Sequence, residues 1–499
     1  MIPAQGRRPI ELAIAGALIG VGAWLRLRGL GEMEFKGDEQ RALQLGIDLA
    51  LHPPWLTGEW PTHGMPSSAN IGNGPLFTWL LAAISRVADD PVAVTRVIAL
   101  INVACLYPIW RWLRRHADTG AALMALAILA VNPFTVMFSR KIWTQNLLIV
   151  GVVLTLWSIE WLRSGRRWRG VLLLLLAVVF LGQLHQSGPL ALAALGVAFV
   201  LQQMRDRRSE APSGWNAPRW TILVLIAAAA ALVLLMWVPY LSYLWTVPAK
   251  TLQERPMLPS MTLDMPWAIA NQVRPVDVLY FFRPNRDDFL ADPVRRESLR
   301  LAVWLGGPLA IYGVYRWLRW PGRLPVIGLW WLLVTVIFIV ARVPILPFYV
   351  LIVMPLPVLL AAGVFDSTLP RGVAAALRGA RVFYVAALLV LTITMQNWLF
   401  VRGGATVGVG GAYGVAYSIR VRQAQAIAAY LRDSSTVVPV PEDVVCEPVT
   451  GEVSWLVSRV DPGAGAMLAG RRLQICEAFV GPEGSARHRW GLQEAELPR

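Results

Sequence analysis

Apolar runs of roughly twenty residues alternate along this chain with short polar connections in which arginine recurs. An α-helix needs about 20 apolar residues to cross the hydrocarbon core of a bilayer. On that ruler, spans are expected near 10–28, 91–113, 120–138, 143–162, 170–187, 189–204, 220–243, 299–318, 324–341, 347–365 and 382–401, eleven give or take one.

The connections orient these spans. Arg7-Arg8, Arg111 to Arg115, Arg163 to Arg169, Arg205 to Arg208, Arg316 to Arg323 and Arg371 to Arg381 fall at alternate ends of the runs, the side that the positive-inside rule assigns to the cytoplasm. The N-terminus is then cytoplasmic, and an odd number of spans places the C-terminus outside. Leu25-Arg26-Leu27-Arg28 lacks a small-residue cleavage site, so the first run reads as a retained span and not as a signal peptide.

Four stretches fall on the outer side: 29–90, 139–142, 244–298 and 402–499. Within the first, Glu39–Leu51 and Pro75–Ile84 are too short to span and read as helices lying in the interface. After residue 401, Gly403 to Gly414 is glycine-rich, Arg422–Leu431 reads as a helix, and Thr436–Val440, Val453–Val460 and Leu473–Val480 read as strands. The expected fold class is an all-α polytopic membrane protein: a transmembrane domain over 1–401 and a small extracytoplasmic α/β domain over 402–499.

Composition agrees. Hydrophobic residues make up 56% of the chain and charged residues 15%, against about 25% charged in soluble domains. The formal charge of +15 does not point to nucleic acid, because its arginines sit in loops between apolar runs and not on one basic face. No phosphate-cradling glycine loop is present, which argues against a nucleotide sugar as direct donor. Cys105 lies in an apolar run; Cys446 and Cys476, in the polar tail, either pair if the tail is outside or stand as two buried thiols. No HxxH or CxxC spacing indicates a dedicated transition-metal site, and no cofactor is called for.

Gly37-Asp38-Glu39-Gln40 follows the first span on the outer face. Asp before a helix is a favoured N-cap. The chemical alternative is a carboxylate that takes the proton of an acceptor attacking an anomeric carbon, a general-base contribution of about 10²–10⁴ in rate. One base suffices for inversion when a lipid phosphate leaves directly, so Asp38 is the first candidate and Glu39 its neighbour or support. The spans hold no mid-membrane Asp, which disfavours an ion-coupled transporter.

Basic residues supply the other half of such a site. Arg140 and Lys141 lie in the short outer turn Ser139–Trp143, and Arg342 ends a span just before Tyr349; each either holds a phosphate or snorkels to the headgroups. His185 ends another span on the same side, as packing or as a neutral donor. In the loop 244–298, Arg255, Arg274, Arg283 and Arg286 stand beside Tyr280, Phe281 and Phe282, suited to sugar stacking or to packing over the membrane.

The chain resembles the polyprenyl-phosphate-dependent glycosyltransferases of the GT-C superfamily, specifically the protein mannosyltransferase and lipid A aminoarabinose transferase group. The residues that carry the likeness are Gly37 to Ala42, Gly74 to Leu80 followed by Arg96, and Arg342 with Leu346-Pro347-Phe348-Tyr349 through Pro355. The resemblance implies a polyprenyl-phosphate sugar as donor, a lipid, glycan or protein acceptor, catalysis by the acid at Asp38, and carrier phosphate held by outer basic residues. Arg- and Ala-rich usage points to a GC-rich bacterium, so the expected location is a bacterial inner membrane. This sequence departs from many relatives at Gln145-Asn146, where they carry an Asp. The rival readings are a flippase for a lipid-linked saccharide and a non-catalytic scaffold for envelope assembly.

Overall fold

The computed structural model describes residues 8–66, 72–164, 166–185, 188–189, 191–197, 219–247, 273–282, 285–319, 329–330, 332–336, 358, 361–363, 369–405, 413–433, 439–440, 445–449, 451–469, 471, 473–480 and 487–494. The first apolar run is helix α1 (Arg8–Leu27). It ends at Gly29, whose φ of 56° is left-handed, and the Phe400 ring lies 2.7 Å from where a Cβ would stand. Both backbone and space demand glycine there.

The first outer loop folds into α2 (Gly37–Leu51), α3 (Pro54–Thr57) and α4 (Leu76–Ser85), so the two short helices expected in it are present. Helix α5 (Pro91–His116) follows, with the Asp90 carboxylate accepting from the Ala93 N–H at 2.9 Å as its cap. The expected span 120–138 is two helices, α6 (Thr119–Val131) and α7 (Pro133–Phe138). Pro133 lacks the N–H needed to continue α6, and Asn132 Oδ1 accepts from the Phe134 N–H at 2.9 Å to start α7 afresh. A 3-10 turn (Thr144–Leu147) leads into α8 (Leu148–Arg163), α9 (Arg167–Leu184), α10 (Arg219–Thr246), α11 (Arg286–Ala291), α12 (Pro293–Arg319) and α13 (Arg371–Arg402).

Among the described residues, four segments are long and apolar enough to cross a membrane: Pro9–Leu27, Pro91–His116, Thr144–Leu162 and Arg371–Arg402. The expected spans 324–341 and 347–365 lie largely outside the described residues, and 189–204 lies there in part. The architecture is that of a multi-pass helical membrane protein, without a fixed count of eleven.

Charges at the helix ends set the directions. Glu11, early in α1, pairs with Arg114 late in α5, and Glu160, late in α8, pairs with Arg115 at 2.9 Å and His116 at 3.0 Å. Helix α1 therefore runs antiparallel to α5 and α8, and the opposite ends bring residues 29–37, 90–95 and 139–147 to one side. Between them a core of Leu25, Leu106, Leu126, Phe134, Leu388 and Leu391 joins α1, α5, α6, α7 and α13.

The C-terminal part holds α14 (Tyr417–Arg432), β1 (Val445–Pro448), α15 (Gly451–Val460), α16 (Pro462–Leu468), β2 (Leu473–Val480) and β3 (Arg487–Glu494). The strands form an antiparallel sheet in the order β1-β2-β3, with Cys446 opposite Cys476 and the two joined as a disulfide. Val453–Val460, expected as a strand, is helix α15: its buried Val453, Leu456 and Val457 follow helical spacing. Thr436–Val440 lies mostly outside the described residues. Strand β3 is polar along most of its length and left no apolar signal.

Candidate active site

The site is built around the segment Met33–Phe35. Here the backbone is extended and pairs with Val415–Tyr417: the Phe35 N–H donates to Val415 O at 3.3 Å and the Tyr417 N–H to Met33 O at 2.8 Å. The Tyr413 phenol accepts from the Glu34 N–H at 2.9 Å and donates to Glu32 O at 3.0 Å. This clamp turns the Glu34 carboxylate into the protein, where it pairs with both Lys36 and Lys141. Glu34 and Lys141 have no side-chain exposure at all.

Lys36 is the N-cap of α2, and Asp38 and Glu39 are the second and third residues of its first turn. Glu39 reaches back to accept from the Lys36 N–H at 3.1 Å. The capping expected of Asp38 thus belongs to Glu39, and Asp38 stands exposed. A carboxylate in the first helical turn is favoured by the unpaired N–H groups there. The adjacent acids divide by burial: Glu39 beneath the turn, Asp38 open to a solvent-borne group.

Charge in the cluster follows from burial and neighbours. Burial alone would raise the Glu34 carboxyl, but Lys141 and Lys36 outweigh it and hold it below its ordinary value. Glu39 is pushed up to about 8 by burial, then by the charge on Glu34, so it carries its proton at neutral pH. Burial lowers Lys141, with Glu34 opposing; for Lys36 burial is outweighed by Glu34 and Glu39, and the ammonium is raised. Lys36 and Lys141 thus both face the Glu34 carboxylate, and Asp38 also acts on Lys36. The Lys141 ammonium also lies 4.3 Å from the Trp143 ring centroid, 5.3 Å from Tyr413 and 5.7 Å from Phe281, an aromatic cage that stabilises a cation.

Arg140, expected beside Lys141 at a phosphate, is committed elsewhere. Its guanidinium donates to Leu25 O and Arg26 O at 3.3 Å and to Gly29 O at 2.8 Å, satisfying the last carbonyls of α1. Arg26 does the same for α6, donating to Ala130 O at 2.8 Å and Leu129 O at 3.1 Å. The turn after Lys141 is fixed by amides: Asn146 Nδ2 donates to Lys141 O at 2.6 Å, and Asn102 Nδ2 to Asn146 O at 3.0 Å. Behind it a cavity runs between α5 and α8, polar at Asn102, Ser139, Gln145 and Asn146 and apolar at Ile109, Leu129 and Val152.

Of the residues expected at the site, Asp38, Glu39 and Lys141 come together. His185 is buried just past the end of α9, away from the Glu34 pairs. Arg342 and Tyr349, together with Arg255 and Arg283, lie outside the described residues. Sequence reasoning missed Glu34, Lys36 and Tyr413. The alternation Met33-Glu34-Phe35-Lys36 was a signal for an extended segment; nothing local announced Tyr413.

Residues 72–243 match the model of the family described as dolichyl-phosphate-mannose-protein mannosyltransferase. The chain resembles that family. The matched stretch holds Lys141 and His185, while Asp38 precedes it. No curated protein matches the chain. Among solved structures, the archaeal oligosaccharyltransferase AglB from Archaeoglobus fulgidus, in complex with an inhibitory peptide and a dolichol-phosphate, is 14% identical; the likeness covers 87% of this chain and 59% of that one at a TM-score of 0.46. The Archaeoglobus fulgidus oligosaccharyltransferase in its apo form is 15% identical, with 86% and 59% covered at a TM-score of 0.48. This chain thus spans less than two thirds of the length of those proteins, and overlays this loose transfer no residue's role. The coarse reading supported by the family match is a membrane glycosyltransferase of the lipid-phosphate-linked type.

Proposed function

We propose that this protein moves a sugar from a polyprenyl-phosphate donor to a lipid, glycan or protein acceptor on the extracytoplasmic side of a bacterial inner membrane, with inversion. The observation that carries the reading is an exposed carboxylate, Asp38, in the helix turn that Lys36 caps, next to the ion-paired cluster of Glu34, Lys36 and Lys141. In this mechanism an acceptor hydroxyl attacks the anomeric carbon, the bond from that carbon to the phosphate oxygen breaks, and the acceptor proton passes to Asp38. Lys141 and Lys36 stabilise the departing phosphate. Glu39 holds the helix start, and Arg140 supports the turn that presents Lys141. On the sequence pattern alone, Arg342 is assigned to the phosphate with the lysines, and His185 and Tyr349 to the lining of the donor pocket.

The domain layout of the proposal is a transmembrane catalytic part, 1–401, with loops 29–90 and 244–298 on its outer side, and an external part, 402–499. The disulfide Cys446–Cys476 supports placing that part in an oxidising compartment. The decisive experiment is Asp38→Asn in folded, purified protein assayed with a lipid-linked sugar. Transfer is expected to fall by about 10²–10⁴, with partial recovery in Asp38→Glu; undiminished transfer by Asp38→Asn removes Asp38 from its role.

A further inference from the structure

A second group of polar side chains gathers where the first outer loop meets the ends of α9 and α10. Two tyrosines of α10 clamp Gly72: the Tyr243 phenol accepts from the Gly72 N–H at 2.9 Å, and the Tyr240 phenol donates to Gly72 O at 3.2 Å. His63 stacks on the Tyr243 ring with centroids 4.1 Å apart. A Cβ on Gly72 would stand 2.7 Å from the His63 ring, so only glycine allows this approach.

The clamp presents the next two residues to α9. Asn73 Nδ2 donates to Met65 O at 3.1 Å, while its Oδ1 is buried without a hydrogen-bond partner. Gly74 then packs so closely on Gln183 that no Cβ fits between them. Gln183 is wholly buried, yet neither its Oε1 nor its Nε2 has a partner among the described residues. A buried amide with both ends unmade is a cost that leucine or methionine would avoid. Native proteins keep such groups where a ligand or bound water completes them.

The chemistry of the group names the ligand class. Asn73, Gln183, Tyr240 and Tyr243 are uncharged, unlike the lysine-rich cluster at Glu34, so they suit a neutral group dense in hydroxyls and not a phosphate. The 3-10 turn that follows Lys141 packs against α9, the helix that carries Gln183 near its end. We propose that Gln183 and Asn73 form the subsite that reads the hydroxyls of the transferred sugar, one amide supplying paired donor and acceptor and the other an acceptor. The inference rests on the glycosyltransferase reading above and divides the donor between two places: phosphate at Lys141, sugar at Gln183.

Gln183→Met tests it, because a structural amide and a ligand-reading amide respond oppositely. The expected result is an unchanged or higher melting temperature together with a rise of about tenfold in KM for the lipid-linked sugar, the loss of one hydrogen bond's worth of binding, with kcat little altered. A lower melting temperature with a proportional loss of activity, or an unchanged KM, overturns the proposal. A readout free of transfer separates it from the parent reading: methyl pyranosides are expected to raise the melting temperature of the wild-type protein and not that of Gln183→Met. If no pyranoside stabilises the wild type, the subsite falls. If one does while no polyprenyl-phosphate sugar is ever a donor, the parent reading falls and the subsite stands.

Discussion

Tyr413 and Glu34, 379 positions apart in sequence, meet through a 2.9 Å hydrogen bond from the Glu34 N–H to the Tyr413 phenol. The bond fixes the backbone that aims Glu34 at Lys141, and it comes from the far side of the last long helix. Around it Phe35 packs edge-on to Tyr417 at 5.3 Å, Ser418 Oγ donates to Glu32 at 2.9 Å, and Arg459 of α15 pairs with Asp89 at 2.5 Å. The C-terminal part is thus tied to the first outer loop along its length.

Tyr413→Phe keeps the ring beside Lys141 and removes both hydrogen bonds of the phenol. A loss of about 1–3 kcal/mol is expected from two buried bonds, measured by thermal unfolding in detergent, with a larger fall in transfer than Arg459→Ala produces. Equal activity in the two variants would show that the phenol does no more than hold the C-terminal part in place.

Lys141→Met strands the buried Glu34 carboxylate with Lys36 as its remaining partner. Removing one member of a buried pair costs about 3–5 kcal/mol, and the presence of Lys36 puts the expectation at the lower end. The double variant with Glu34→Gln should regain part of that loss, a coupling that a double-mutant cycle in unfolding experiments reads directly. Additive losses would mean that the pair is not energetically linked.

Two carboxyls give opposite pH signatures. Glu39 is raised from 4.5 to about 8, so its contribution to stability is full below pH 4.5 and lost as pH rises through about 8. Glu39→Gln, which is always neutral, should flatten the decline in melting temperature between those limits. Glu477 is different. Burial would raise it, but His488 and Arg420 bring it down to about 2, so its contribution is full above 4.5 and lost as pH falls toward 2. Melting temperature followed from pH 3 to 9 in Glu39→Gln and Glu477→Gln should separate the two limbs; an unaltered alkaline limb in Glu39→Gln would contradict the buried neutral acid.

The disulfide closes a loop with a sequence separation of 30 between β1 and β2. Chain-entropy arguments put its worth at about 3–4 kcal/mol. Protein isolated without reductant should resist alkylation at Cys446 and Cys476, and the double alanine variant should lose the C-terminal sheet first, seen as protease cleavage confined to residues beyond 432. Two alkylatable thiols in freshly isolated protein would rule the bridge out in the cell.

Much was legible in the chain alone because the bilayer imposes a one-dimensional signal. Runs of about twenty apolar residues, arginines at alternate ends and a proline after Asn132 act through backbone hydrogen bonding and solvation, which are local. Even so, the span expected over 120–138 runs across the Asn132-Pro133 break, and Val453–Val460 reads as a strand in sequence because a short apolar run has no period long enough to tell the two apart. Asp38-Glu39 and Lys141 stand out in the chain alone as candidates, since acids and bases at the outer ends of apolar helices are rare.

Where those residues stand and what they contact is decided by packing. Nothing near Arg140 in sequence says that its guanidinium closes the end of α1, because the carbonyls it satisfies belong to residues 25–29. Glu34 is turned inward by an extended pairing with Val415–Tyr417, and the contrast between exposed Asp38 and buried Glu39 arises where Lys36 caps α2. Sequence by itself determined the membrane, the helices and the kind of chemistry, through hydrophobicity and spacing. Which carboxyl is buried, which lysines share a carboxylate and where an amide stands unsatisfied depend on desolvation and on groups brought together from distant segments, and only the tertiary structure sets those.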